Sequence, residues 1–249
     1  DALICDLGVE VRYRRDRLAF NGSTDLEREV PLIELAWVRR TDSPSLLPWG
    51  DGDKLSGGLP HQYDARTRFT LAHEFGHVLL DRLDKRRPLP PAMTPQNIEH
   101  LCDAIGAELL MPTCWFRDKV GSEAMFDDLR RVSIRAGTSI SSTIVRARHL
   151  GYGIGALYLT PAPTGGWHVQ RAYGLHAKDG LRLNDKSASR LSGMPMKSVV
   201  EANLDLACGR HLHRARVEIR RTFSSAVMVV HSIDGIPIRF SSNWHCNHR

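Results

Sequence analysis

At 249 residues, with 42% hydrophobic and 25% charged positions, the chain has the composition of an ordinary globular protein. No run approaches the ~20 consecutive apolar residues of a bilayer-spanning helix, so no membrane association is expected. The five cysteines, Cys5, Cys102, Cys114, Cys208 and Cys246, are odd in number, scattered and free of any CxxC pair. That excludes a disulfide framework and a thiolate zinc site, and points to a reducing, cytoplasmic compartment. The net charge of +6 permits a nucleic-acid or acidic-protein partner without requiring one.

In chain order, residues 1–40 are mixed, and the apolar run at 30–38 fits a strand or a short helix. Residues 41–66 are rich in Gly, Pro, Asp and Ser and read as loop. From Thr67 the spacing of Phe69, Ala72, Phe75, Leu79 and Leu83 predicts an amphipathic helix, broken by the proline-rich stretch 84–91. A second helix begins at the cap Thr94 and Pro95, carries Ile98, Cys102, Ile105 and Leu109 inward, and ends at Pro112. Residues 122–151 predict two short helices separated by a turn at Gly137, the outline of a helix-turn-helix. Beyond Gly151 the texture changes to strands at 154–160, 167–173, 226–231 and 236–240, with a hairpin turn at Asp234-Gly235 and a helix over 197–206. The expected organisation is an α+β multidomain chain: a helical zincin-like domain (1–115), a helix-turn-helix-like domain (116–151) and an α+β domain (152–249).

The chemistry concentrates in the first helix. His73-Glu74-x-x-His77 puts two imidazoles on one helical face, where both can reach one Zn²⁺ at ~2.0–2.1 Å. Glu74 lies beside the open coordination position and is the candidate base, taking a proton from the attacking water and passing it to the leaving amine. A third ligand is needed. Glu99 and Asp103 project from one face of the second helix, the first as ligand, the second as acceptor for the ring N–H of a ligating histidine. Glu108 and His100 are the rival ligands. Zinc suits this set, and Mn²⁺ or Fe²⁺ can occupy it when more available. His61, Tyr63 and Arg68 are the nearby candidates for transition-state stabilisation.

The segment Arg68-Phe69-Thr70-Leu71-Ala72-His73-Glu74-Phe75-Gly76-His77, followed by Ala107-Glu108-Leu109-Leu110-Met111-Pro112, resembles the ImmA/IrrE metallopeptidases over roughly residues 60–115. The resemblance implies a gluzincin-like site with His73, His77 and Glu99 on zinc and Glu74 as base. It also implies a regulatory endopeptidase that makes one cut in a helix-turn-helix repressor of the DdrO type and so induces DNA-damage and radiation-response genes. For the trailing domain it implies a GAF-like sensor that takes a small-molecule ligand. Where the family usually has Ala-Asn-x-Phe-Ala before the Leu-Leu-Met-Pro end, this chain has Cys102-Asp103-Ala104-Ile105-Gly106.

Outside that site, Arg146 and Arg148 on the second of the two short helices are candidates for contact with DNA or a protein partner. The basic run Arg210, Arg214, Arg216, Arg220, Arg221 reads as exposed surface, and His211-x-His213 and His245, Cys246, His248 are weak metal signals. The competing function is a non-proteolytic regulator that binds DNA or protein on a peptidase scaffold.

Overall fold

The structure is a computed structural model describing residues 8–14, 22–36, 65–88, 90, 93–163, 166–176, 181–196, 198–208, 210–222, 225–238 and 244–245. Of the loop expected at 41–66, residues 41–64 lie outside the described residues, and 65–66 are helical instead. No described helix is long and apolar enough to cross a membrane. The chain forms two compact units: residues 1–46, 53–115 and 133–139 make the first, and residues 47–52, 116–132 and 140–249 the second. The segment expected as a separate helix-turn-helix domain is thus shared between them.

The first unit joins a small sheet to two helices. Strands β1 (Glu10–Arg14), β2 (Gly22–Asp25) and β3 (Leu32–Ala36) lie in the order β1-β3-β2, with β1 parallel and β2 antiparallel to β3. The ambiguous run at 30–38 is therefore strand over 32–36. The helix expected from Thr67 spans Ala65–Arg86 (α1), and the capped one spans Pro95–Leu110 (α2). Thr94 accepts from the Asn97 N–H at 3.2 Å, and Pro95 spends no donor in the first turn. One stripe was expected on α1, but the helix is buried on two sides. Leu71, Phe75 and Val78 pack on Val9, Ile33 and Leu35 of the sheet. Ala72 and Gly76 turn toward α2. Leu83, expected inside, is 49% exposed because it falls in the last turn, beyond both partners.

Helices α3 (Thr113–Lys119), α4 (Phe126–Ala136) and α5 (Ile140–His149) follow. Gly137, at φ +62, makes the turn between α4 and α5.

The second unit contains an antiparallel sheet in the order β5-β4-β10-β9-β8-β7. Its strands are β4 (Gly155–Pro161), β5 (Trp167–Tyr173), β7 (Leu181–Leu183), β8 (Val199–Cys208), β9 (His211–Arg221) and β10 (Ala226–Ile233), while β6 (Leu175–His176), β11 (Ile236–Pro237) and β12 (Trp244–His245) are two-residue strands. Helix α6 (Asp185–Gly193) covers one face with Ala188 and Leu191 over Leu157, Leu204, Val217 and Met228. Asn184 caps its start through the Ser187 N–H at 2.8 Å. Arg221 closes its end by donating to the carbonyls of Leu191, Ser192 and Met194.

Two expectations change here. The helix expected over 197–206 is strand β8. Ala202, Leu204 and Leu206 are buried while Glu201 and Asn203 are exposed, a period of two, and all ten residues of β8 pair with β9. The basic run is not uniform surface. On β9, Ala215, Val217 and Ile219 face the core, Arg214 and Arg216 are exposed, and Arg220 is buried. The Asp234-Gly235 turn has both residues at positive φ, 52° and 76°, as a two-residue hairpin requires.

A buried carboxylate–imidazole contact ties α4 to this sheet. Glu218 Oε2 accepts from the Phe126 N–H at 2.7 Å and lies 3.0 Å from His231 Nε2. Burial by itself pushes the Glu218 carboxyl up, but His231 and the Phe126 N–H favour the charged form and hold it below the usual range. A depressed folded value contributes stability above the unfolded carboxylate value of ~4.3, lost as pH falls through the folded one. We expect denaturant midpoints to decline below about pH 4, and Glu218→Gln to cost about 1–3 kcal/mol at pH 7 while flattening that acid limb.

Candidate metal centre

On α1 successive residues point 100° apart, so His73 and Glu74 face different neighbours. His73 and His77, one turn apart, sit at the edge facing α2 with side chains 17% and 21% exposed. Glu74 is buried and turns toward the sheet.

Two glycines bring α2 close enough to matter. A Cβ on Gly76 would meet the Cys102 Cα at 2.8 Å, nearer than real Cβ contacts come. A Cβ on Gly106 would lie 3.0 Å from the His73 backbone nitrogen. The helices touch backbone to backbone, and the carboxylates one turn apart on α2 reach the imidazoles.

His73 Nδ1 lies 2.8 Å from Asp103 Oδ1. In the tautomer whose Nδ1–H donates to that carboxylate, the ring presents a lone pair at Nε2. That lone pair faces Glu99 Oε2 at 3.2 Å and His77 Nε2 at 3.3 Å, and Glu99 Oε1 is 3.5 Å from His77 Nε2. The ligand atoms of His73, His77 and Glu99 all lie within 4.8 Å of one another, the only such cluster among the described residues. Electron-pair donors crowded around one point call for a cation. Tetrahedral bonds of ~2.0–2.1 Å put two nitrogens about 3.3–3.4 Å apart, so the donor set fits zinc.

The other candidates lie elsewhere. Glu108 accepts from the Thr113 N–H and hydroxyl at 2.9 and 2.8 Å and so caps α3. His100 is exposed and outside the cluster. Cys102 is buried, its thiol pushed up to about 12 by burial and then by Glu99, Glu74 and Asp103, and it is not in the cluster. Arg68 packs its guanidinium against Gly137. His61 and Tyr63 lie outside the described residues, as do the side chains at 245–248. His213 is held by Asp234 at 2.8 Å, fixing the hairpin rather than joining a metal cluster. Arg146 is buried, and Arg148, whose pKa is lowered by burial, donates to the Ile154 carbonyl. The two guanidiniums expected on a nucleic-acid surface are thus drawn inward.

Sequence reasoning missed Thr24. Its hydroxyl donates to Glu74 Oε2 at 2.5 Å across 50 positions of chain. No spacing signals such a contact.

Residues 60–148 match the peptidase M78 family model, described as an IrrE N-terminal-like domain. Over this segment the chain is similar to that family. The matched segment holds His73, Glu74, His77, Glu99 and Asp103, while β1 to β3 precede it. No curated protein matches the chain. Among solved structures, a Mycobacterium tuberculosis transcriptional regulator is similar at 11% identity and TM-score 0.47, over 92% of this chain and 67% of that one.

We expect Asp103→Ala to leave the ligands in place but weaken zinc binding about 10- to 100-fold, measured by chelator competition. Gly76→Ala, which forces the helices apart, should weaken zinc binding too and also lower the thermal midpoint.

Proposed function

We propose that this chain is a zinc-dependent endopeptidase with one regulatory protein substrate. The observation that carries this reading is the convergence of His73, His77 and Glu99 on one point, with Glu74 beside the two histidines on α1. Zinc held there supplies Lewis acidity, polarising the scissile carbonyl and lowering the pKa of a water toward ~7. The chain's own residues do the rest. Asp103 fixes the His73 tautomer and ring orientation. Glu74 accepts the proton of the attacking water and returns it to the leaving amine.

The substrate we propose is a helix-turn-helix repressor of the DdrO type, whose cleavage releases DNA-damage and radiation-response genes. The match of residues 60–148 to the IrrE N-terminal-like family model supports this. In the same reading the α4–Gly137–α5 segment is a helix-turn-helix used for docking protein. The sheet of the second unit is a GAF-like sensor taking a small ligand, and the protein works in the cytoplasm. A regulator that binds DNA without cutting is the second reading; buried Arg146 and inward-held Arg148 weigh against it.

The test is incubation of the metal-loaded chain with a DdrO-type repressor. Wild type should make a single cut that a chelator abolishes and zinc restores. Glu74→Gln should keep one zinc and lose about 10²–10⁴-fold in turnover. A metal-loaded wild type that leaves the repressor intact, whether loaded with zinc, manganese or iron, would favour the binding regulator.

A further inference from the structure

Glu74 is a charged side chain only 7% exposed, and its position is set from outside its own helix. Strand β2 forms an edge of its sheet among the described residues, and its alternation turns Gly22 and Thr24 inward while Ser23 and Asp25 face out. The Thr24 hydroxyl donates to Glu74 Oε2 at 2.5 Å and lies 3.4 Å from the Glu74 carbonyl oxygen. Two residues earlier, a Cβ on Gly22 would fall 2.6 Å from Thr70 Cγ2 and 3.1 Å from Glu74 Oε1. One residue thus grips one carboxylate oxygen, and the missing side chain of another leaves room for the second.

We propose that Thr24 is a positioning residue for Glu74, with Gly22 as the clearance that lets the carboxylate take its place. This rests on the peptidase reading given above. The carboxylate of a general base needs one oxygen held and one presented to the water it deprotonates. An unrestrained Glu has three side-chain torsions, and a shift of about 1 Å in such a group can cost 10²-fold. Thr24 removes that freedom with one hydrogen bond to a charged acceptor, the stronger kind. Both residues precede the matched segment 60–148, so the base is built on a helix from that segment and oriented by a strand outside it.

The test compares full-length wild type, Thr24→Val and Thr24→Ser, each loaded with zinc. Valine keeps the shape and removes the donor; serine keeps the donor. The first readout is acetohydroxamate binding to the zinc-loaded protein by calorimetry, since this chelator places a hydroxyl where the base would accept its proton. The second is kcat and KM for the repressor. Thr24→Val should bind one zinc as tightly as wild type, bind acetohydroxamate about 10-fold more weakly and lose about 10- to 100-fold in kcat with KM little changed. Thr24→Ser should recover both. Equal acetohydroxamate affinity in wild type and Thr24→Val overturns the proposal, whether or not the repressor is cut. So does a serine variant as impaired as the valine one, because the role is then packing. If wild type binds zinc and acetohydroxamate but leaves the repressor intact, the peptidase reading fails, and the binding arm alone decides the role of Thr24.

Discussion

The arrangement of the site depends on one contact: the backbone of α1 meeting the backbone of α2 at Gly76 and Gly106. Helix axes usually lie 8–10 Å apart, a distance set by the side chains between them. With no side chain on either glycine the axes can close up. Glu99 and Asp103, short carboxylates on α2, then reach His73 and His77 on α1. Larger residues at the two glycines would leave the same four side chains present but separated.

The periodicity of α1 divides the work of the site between its neighbours. The side facing α2 carries the imidazoles, whose donors are set by carboxylates. The side facing the sheet carries Leu71, Phe75 and Val78 in the apolar core. Glu74 lies toward that sheet, where Thr24 holds it. His73, Glu74 and His77 lie within one turn of α1, yet different elements position them. The same packing that buries the apolar side of the helix brings β2 to Glu74, so stability and site geometry share their contacts.

The second unit follows a different logic. Its sheet is antiparallel throughout, and β8 to β10 supply every second side chain to a core closed by α6. Some polar groups on the other face are buried. Glu218 and His231 pair there and anchor the first N–H of α4, one of the donors a helix start cannot satisfy internally. The charged residues of β9 on this face differ by position along the strand: Arg214 and Arg216 are exposed, Glu218 and Arg220 buried.

What the sequence determined by itself is local. The His-x-x-x-His spacing puts two rings on one helical face because a turn takes 3.6 residues. Thr94-Pro95 starts a helix and Asp234-Gly235 turns a hairpin because each acts on its own backbone. The likeness to the ImmA/IrrE family was legible for the same reason, through contiguous residues from Arg68 to His77 and from Ala107 to Pro112. The tertiary structure decided what depends on distance along the chain. It brought Glu99 into the cluster and used Glu108 as a cap, although both are acidic residues on one helix. It made residues 199–208 a strand because β9 lay alongside to take their hydrogen bonds, although their alanine, leucine and glutamate content favours helix. It set Thr24 against Glu74, 50 positions away, and turned Arg146 inward. Spacing encodes geometry only where the backbone is regular between two residues; across a loop, packing alone chooses which side chains meet.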